Sequence, residues 1–290
     1  MTRVISALIL LLSAFILTFA CGAPPKPANE RQYTLEGEIL RIKADRTEVT
    51  IKHGDVKGFM PAMTMPFPIK DAKLLDGLAP GDMVKATLVV NDEESYLSAM
   101  QKTGSLPPGN RSTDKPARPD QVAPGAAIPD ITLTDEGGKP LKLSGYRGKY
   151  VVFTFIYTRC PLPDYCPRMD KFFAAIQREV ALRPRLKPAI RLLSISFDPD
   201  FDTPATLTAH ARKAAADPAL WRFATAPRKD VDAFGAVLGL TVLREGPKGE
   251  TITHNLRTVL MDPNGNLVKI YSGNEWSPDG VIGDLEALIK

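Results

Sequence analysis

The sequence predicts two domains of different class: a small all-β, OB-like barrel, then an α/β domain. Three observations carry this. Apolar residues recur at even, strand-like spacing through residues 32–102. Residues 103–124 are rich in Pro, Gly, Ser and charge, with almost no bulky apolar side chain. From residue 125 onward, β-rich apolar runs alternate with segments of helical period. The length of 290 residues is itself a soft prior for about two domains. A composition of 44% hydrophobic and 24% charged residues allows an ordinary core in each. The net charge of +4 is small and the basic residues are scattered, so nothing points to a nucleic-acid partner.

Residues 1–21 read as a targeting segment. Arg3 supplies a positive start, Val4 to Ala20 carries no charge, and Ala20-Cys21 ends the run with a small residue before a cysteine. This is the pattern of a secretory signal with a lipobox-like cysteine. Lipidation at Cys21, an uncleaved anchor and plain cleavage all stay open, and each places the rest of the chain outside the cytoplasm. Residues 22–31 then form a proline-rich spacer of the semi-rigid kind.

In the first domain, residues 32–102, Leu35 and Ile39, Leu40 and Ile42, then Val49 and Ile51 mark strands. Ala44-Asp45-Arg46 is a polar turn between two of them. Leu78-Ala79-Pro80-Gly81-Asp82 is a turn before a strand at 83–90. Residues 103–124 are a linker.

The second domain, residues 125–290, opens with a hairpin turned at Asp135-Glu136-Gly137-Gly138. Residues 149–157 and 190–197 fit buried strands. Between them, Met169, Phe172, Phe173, Ile176 and Val180 fall at helical spacing within 167–182. Thr203 and Pro204 look like the N-cap and first residue of a helix over 203–215. A short strand at 221–226 and a helix at 230–238 follow. Strands at 257–261 and 267–271 flank Asn264-Gly265, a strong hairpin signal. A helix at 278–289 ends the chain. Parallel strands joined by helices in this order give a thioredoxin-like α/β domain.

Cys160 follows closely on the 149–157 strand, and Cys166 precedes Pro167 at a helix start. A helix N-terminus favours anions and lowers thiol pKa values. If Cys21 carries lipid, the other two of the three cysteines form a pair that an oxidising compartment would join as a Cys160–Cys166 disulfide. Composition alone leaves a structural disulfide and a reactive pair both open.

The string Tyr157-Thr158-Arg159-Cys160-Pro161-Leu162-Pro163-Asp164-Tyr165-Cys166-Pro167 resembles the SCO/SenC family. Ser196-Phe197-Asp198-Pro199, Asp202-Thr203-Pro204 and His254 extend the resemblance over nearly the whole second domain. It implies copper held by Cys160, Cys166 and His254, and a role in building the dinuclear copper centre of cytochrome c oxidase. Thiolates suit Cu(I), and imidazole suits either copper oxidation state. The family spacing is C-x3-C and this chain has C-x5-C, which bears on copper affinity and reduction potential. Thioredoxin-type reductases have C-x2-C facing a cis-proline. No proline stands at Thr253-His254-Asn255, which favours a metal site over a general dithiol reductase. Asp198 and Asp202 are expected as turn and cap residues rather than an acid/base pair.

Three of the eight methionines lie in Met60-Pro61-Ala62-Met63-Thr64-Met65. Met63 and Met65 alternate, so a strand points both thioethers to one face. Taken alone, they would more commonly be barrel core. With His53 upstream, the segment resembles the CusF-like periplasmic copper-binding domain. That resemblance implies Cu(I) or Ag(I) held by His53, Met63 and Met65. The tryptophan that caps the family site is replaced by Met60.

Together these resemblances imply an extracytoplasmic, membrane-tethered, periplasmic copper metallochaperone. Its partner would be a copper-accepting protein, expected to be a cytochrome c oxidase subunit. Two rivals remain: a thiol-disulfide oxidoreductase that keeps acceptor cysteines reduced, and a passive copper-tolerance buffer.

Overall fold

The computed structural model describes residues 29–106, 121–245 and 251–289. The targeting segment with Cys21, most of the spacer and the middle of the linker lie outside the described residues. Among the described residues, no helix is long and apolar enough to cross a membrane.

The first domain is a five-stranded antiparallel sheet. Its strands are β1 (Arg31–Ile42), β2 (Glu48–His53), β3 (Met63–Pro68), β4 (Asp82–Val90) and β5 (Ser95–Ser105), in the order β3-β2-β1-β4-β5. An Ile69–Leu97 bridge brings the continuation of edge strand β3 to the other edge, so the two edges meet at one end. The sheet thereby coils as a barrel does. The even spacing in the sequence breaks between Ile39 and Leu40, and β1 carries a bulge between Ile39 and Arg41 at that point. The bulge changes which parity faces the core: Leu35 and Ile39 are fully buried, whereas Leu40 is half-buried. Residues 31–42 are therefore one bent strand.

Gly37 occupies the crossing of β1 over β2. It pairs with His53, and a Cβ there would stand 2.4 Å from the Lys52 carbonyl oxygen and 2.7 Å from the His53 Cα. Only glycine lets the strands approach so closely.

The second domain is built on a seven-stranded sheet. The elements are β6 (Thr132–Asp135), β7 (Pro140–Lys142), β8 (Tyr150–Ile156), α1 (Cys166–Ala181), β9 (Ile190–Ser196), α2 (Pro204–Lys213), β10 (Trp221–Thr225), α3 (Arg228–Val237), β11 (Val242–Glu245), β12 (Thr251–His254), β13 (Arg257–Met261), β14 (Leu267–Ser272) and α4 (Pro278–Leu288). The sheet order is β14-β13-β8-β9-β10-β6-β7, with β8, β9 and β10 parallel. These three are buried on both faces, as a parallel sheet requires, which explains their unbroken apolar runs. Thr203 caps α2 by accepting the Thr206 N–H, with Pro204 in the first turn, as the sequence predicts. Gly265 turns the β13–β14 hairpin with φ of 80°. The fold is thioredoxin-like, with one added feature: β11 and β12 form a separate hairpin that the sequence reading does not resolve.

Candidate metal centres

Cys160 lies on the loop leaving β8, and Cys166 on the first residue of α1. His254 is the last residue of β12, 88 positions beyond Cys166. The fold closes that separation. The two sulfurs and an imidazole nitrogen all lie within 4.8 Å of one another, and Nε2 of His254 is 3.8 Å from the Cys166 Sγ. Both cysteines are free thiols. Metal–sulfur bonds of about 2.3 Å and metal–nitrogen bonds of about 2.0–2.1 Å need only a small contraction of this triangle.

The histidine is oriented for ligation. Its Nδ1 lies 2.9 Å from the Asn255 carbonyl oxygen, which can only accept, so Nδ1 carries the hydrogen. Nε2 then faces the sulfurs, where it donates to a Cys160 thiolate when protonated and can ligate a metal through its lone pair when neutral. Tyr157 meets the ring edge-on at 5.4 Å, and Phe197 and Tyr165 lie at 4.8 and 6.3 Å. These walls bury His254 and limit its rotation.

Burial works to raise the Cys160 pKa, but hydrogen bonds with Cys166 and His254 outweigh it, so this thiol ionises well below the ordinary range. Burial raises the Cys166 pKa, and the neighbouring Cys160 raises it further. The pair is thus one ready thiolate beside one retained proton.

Asp198 is a turn residue, its carbonyl accepting from the Phe201 and Asp202 N–H groups at 3.1 and 2.8 Å, but both carboxylates also do other work. Thr203, not Asp202, caps α2. Asp202 is fully buried and accepts from the Thr158 N–H at 3.0 Å, the Thr158 hydroxyl at 2.5 Å and the Ser196 hydroxyl at 2.5 Å. Asp198 pairs with Arg159 Nε at 2.7 Å. The two carboxylates therefore hold Thr158-Arg159, the residues leading into Cys160. Sequence spacing could not distinguish this from capping, because both follow from an Asp near a Thr-Pro helix start. The third histidine, His210, pairs with Asp170 of α1 at 2.8 Å.

In the first domain, His53 and Met63 are directly opposite in the β2–β3 ladder, and Met65 is opposite Ile51. His53, Met63 and Met65 are all buried, and the strict alternation along β3 turns Met63, Met65 and Phe67 to the same face. His53 Nδ1 donates to the Gly54 carbonyl at 2.7 Å, which leaves the lone pair on Nε2. Met60 is also buried, bridged through its backbone to Val56 where the hairpin continues outward. Both tryptophans belong to the second domain: Trp221 packs on Phe173 and Phe223, and Trp276 on Phe172 and Tyr271.

The two centres are neighbours. The Thr64 N–H, between Met63 and Met65, donates to the Thr253 hydroxyl beside His254 at 3.0 Å. Tyr165, beside Cys166, donates to the Pro66 carbonyl at 3.0 Å. Ser95 donates to the buried Asp164 carboxylate at 2.9 Å, and burial pushes the pKa of that group up to about 6. A cleft of about 570 Å³ opens between the domains, bordered by Met65, Tyr165, Thr253 and His254.

The sheet order, the cysteines at a strand-to-helix junction and the distant histidine define a thioredoxin-like protein with a metal-competent dithiol. Residues 120–290 match the SCO1/SenC family, and the chain belongs to it. Residues 32–102 match the family described as copper binding periplasmic protein CusF. The SCO1 protein homolog of Bacillus subtilis is 26% identical over 163 residues, 55% of this chain and 81% of that one. The mitochondrial SCO2 homolog of Bos taurus is 26% identical over 162 residues, 49% of this chain and 53% of its own length. Among solved structures, a SCO1/SenC family lipoprotein from Bacillus anthracis is 27% identical with a TM-score of 0.50, covering 61% of this chain and 98% of that chain. The copper-bound ScoI of Arabidopsis thaliana is 21% identical with a TM-score of 0.48, covering 56% of this chain and 98% of that chain. The family matched by the first domain is thus one described as copper binding.

Proposed function

We propose that the protein is an extracytoplasmic copper metallochaperone that carries copper at Cys160, Cys166 and His254 and delivers it during assembly of a cytochrome c oxidase copper centre. The observation that carries this is the convergence of two thiols and an imidazole within 4.8 Å from segments far apart in sequence. The donor set is soft, which suits Cu(I). A low-pKa Cys160 engages the ion without first losing a proton, and binding then displaces the proton of Cys166. Release to an acceptor is ligand exchange, favoured where the acceptor offers more or better-placed thiolates. His53, Met63 and Met65 form a second Cu(I) site, and Cys21 tethers the chain to a membrane by lipid. Without copper, an oxidising compartment joins Cys160 to Cys166.

Copper titration of the reduced protein, with X-ray absorption to count sulfur and nitrogen ligands, tests this. Two copper ions per chain are expected, one of them lost in Cys160→Ala/Cys166→Ala. Full stoichiometry in that variant overturns the dithiol site. Full Cu(I) uptake by Met63→Leu/Met65→Leu overturns the methionine site.

A second reading is favoured by the unequal thiols. A thiolate beside a protonated partner is also the arrangement for thiol-disulfide exchange with an acceptor's cysteines. His254→Ala separates the two. Loss of copper together with loss of oxidase assembly supports delivery, whereas retained reductase function supports exchange.

A further inference from the structure

The interface between the domains includes the residues that flank the ligands, together with Lys171, whose ammonium donates to the Asp92 carbonyl at 3.1 Å. Thr64 sits between Met63 and Met65, and its N–H bonds to Thr253, the neighbour of His254. Tyr165 precedes Cys166, and its hydroxyl bonds to Pro66, the neighbour of Met65. Asp164, one residue earlier, takes the Ser95 hydroxyl in a buried contact. Asp164 and Tyr165 belong to the Cys160–Cys166 loop, so this loop reaches the first domain. Through the Thr64–Thr253 bond, chain geometry keeps the Cα atoms of Met65 and His254 within about 15 Å. Both residues border the same cleft of about 570 Å³.

We propose that Cu(I) passes directly within one chain from the His53/Met63/Met65 site to the Cys160/Cys166/His254 site across this interface. The proposal rests on the reading that both sites bind copper. The step is ligand exchange without electron transfer. Bonds from copper to the two thioethers and the His53 imidazole break. Bonds to the two cysteine sulfurs and His254 Nε2 form, and the Cys166 proton and any proton on Nε2 leave to solvent. The metal is Cu(I) before and after. Direction follows from charge: two anionic thiolates attract a cation more strongly than two neutral thioethers do. The first domain is then a loading station and the second the carrier.

The test uses the full chain with both cysteines blocked by a photolabile nitrobenzyl group. One equivalent of Cu(I) loads the methionine site, a light flash frees the thiols, and ultraviolet copper–thiolate absorption reports arrival. A rate independent of protein concentration is expected. For transfer in trans, a Cys160→Ser/Cys166→Ser chain carrying Cu(I) is mixed with copper-free Met63→Leu/Met65→Leu chain. At about 10 µM this should be on the order of a hundredfold slower, because a docked neighbour acts at millimolar effective concentration. Ser95→Ala/Lys171→Ala removes two interdomain bonds and no ligand. It should slow transfer in cis severalfold and leave two copper ions per chain. A rate in cis that scales with protein concentration, or one unchanged in that variant, overturns the relay. Fewer than two copper ions per chain in the untreated protein instead overturns the underlying reading of the sites.

Discussion

Removing the Asp202 carboxylate should weaken copper binding without touching a ligand. Asp202→Ala deletes three hydrogen bonds, at 3.0, 2.5 and 2.5 Å, and leaves the Thr158 N–H and two hydroxyls without their acceptor in a fully buried site. Bonds to a charged acceptor contribute roughly 1.5–3 kcal/mol each. Burial raises the pKa of this carboxyl, so part of that gain already offsets desolvation. A net destabilisation of about 2–4 kcal/mol is expected in urea unfolding followed by far-ultraviolet circular dichroism. With Thr158 released, Cys160 loses its fixed approach. Loss of such an outer support typically costs about 10–100-fold in metal affinity. Competition of the reduced variant against a chromophoric Cu(I) chelator measures this directly. Thr158→Ala is the milder arm: it removes the 2.5 Å hydroxyl bond and keeps the N–H bond, so it should fall between the parent and Asp202→Ala. Lost stability with unchanged copper affinity in both variants would refute the idea that Asp202 positions the cysteine loop.

Other outcomes follow from the same structure. Gly37→Ala would force a Cβ against the Lys52 carbonyl and the His53 Cα, so β2 must shift. A loss of roughly 1–3 kcal/mol is expected, as for overpacking elsewhere, together with weaker Cu(I) uptake by the methionine site, read by thermal denaturation and titration. Cys160 should react with iodoacetamide at pH values below the ordinary thiol range while Cys166 stays protected, as mass spectrometry of the labelled peptides would show. His254→Ala removes a hydrogen bond that lowers the Cys160 pKa, so that reactivity should move to higher pH. Asp82, bonded by Lys102 and Ser105, has its pKa lowered to about 2. Its folded value lies below the unfolded one, so its stabilisation is present above pH of about 4 and lost as pH falls toward 2. Because Lys102 is half-exposed, solvent screening limits this to about 1 kcal/mol. Asp82→Asn should flatten that part of the acid unfolding curve.

The elements legible in the sequence were those with a strong local signal. The 149–157 and 190–197 runs became β8 and β9 because parallel strands buried on both faces need continuous apolar residues. Thr203-Pro204 became the start of α2 because capping is local chemistry. The β11–β12 hairpin is less legible, although Thr251-Ile252-Thr253 has strand character and Gly246-Pro247-Lys248-Gly249 precedes it. Short strands with mixed burial give little periodicity, and this pair joins neither main sheet. The change of parity at Ile39-Leu40 comes from a bulge within one strand, which only the pairing with β2 shows.

By itself the sequence determined the donor types, the cysteine loop at a helix start, and the shared face of Met63 and Met65. Each depends on residue identity or on the two-residue period of a strand, and neither requires knowledge of distant neighbours. Tertiary structure decided the rest. It brought His254 to Cys166 across 88 positions and fixed its tautomer through the Asn255 carbonyl. It turned Asp202 from an apparent cap into the anchor of Thr158. It also used the cysteine loop to join the two domains through Asp164 and Tyr165. The physical reason is common to all three. A hydrogen bond or a ligand triangle is set by distances of about 3–5 Å in space, and separation along the chain carries no information about those distances.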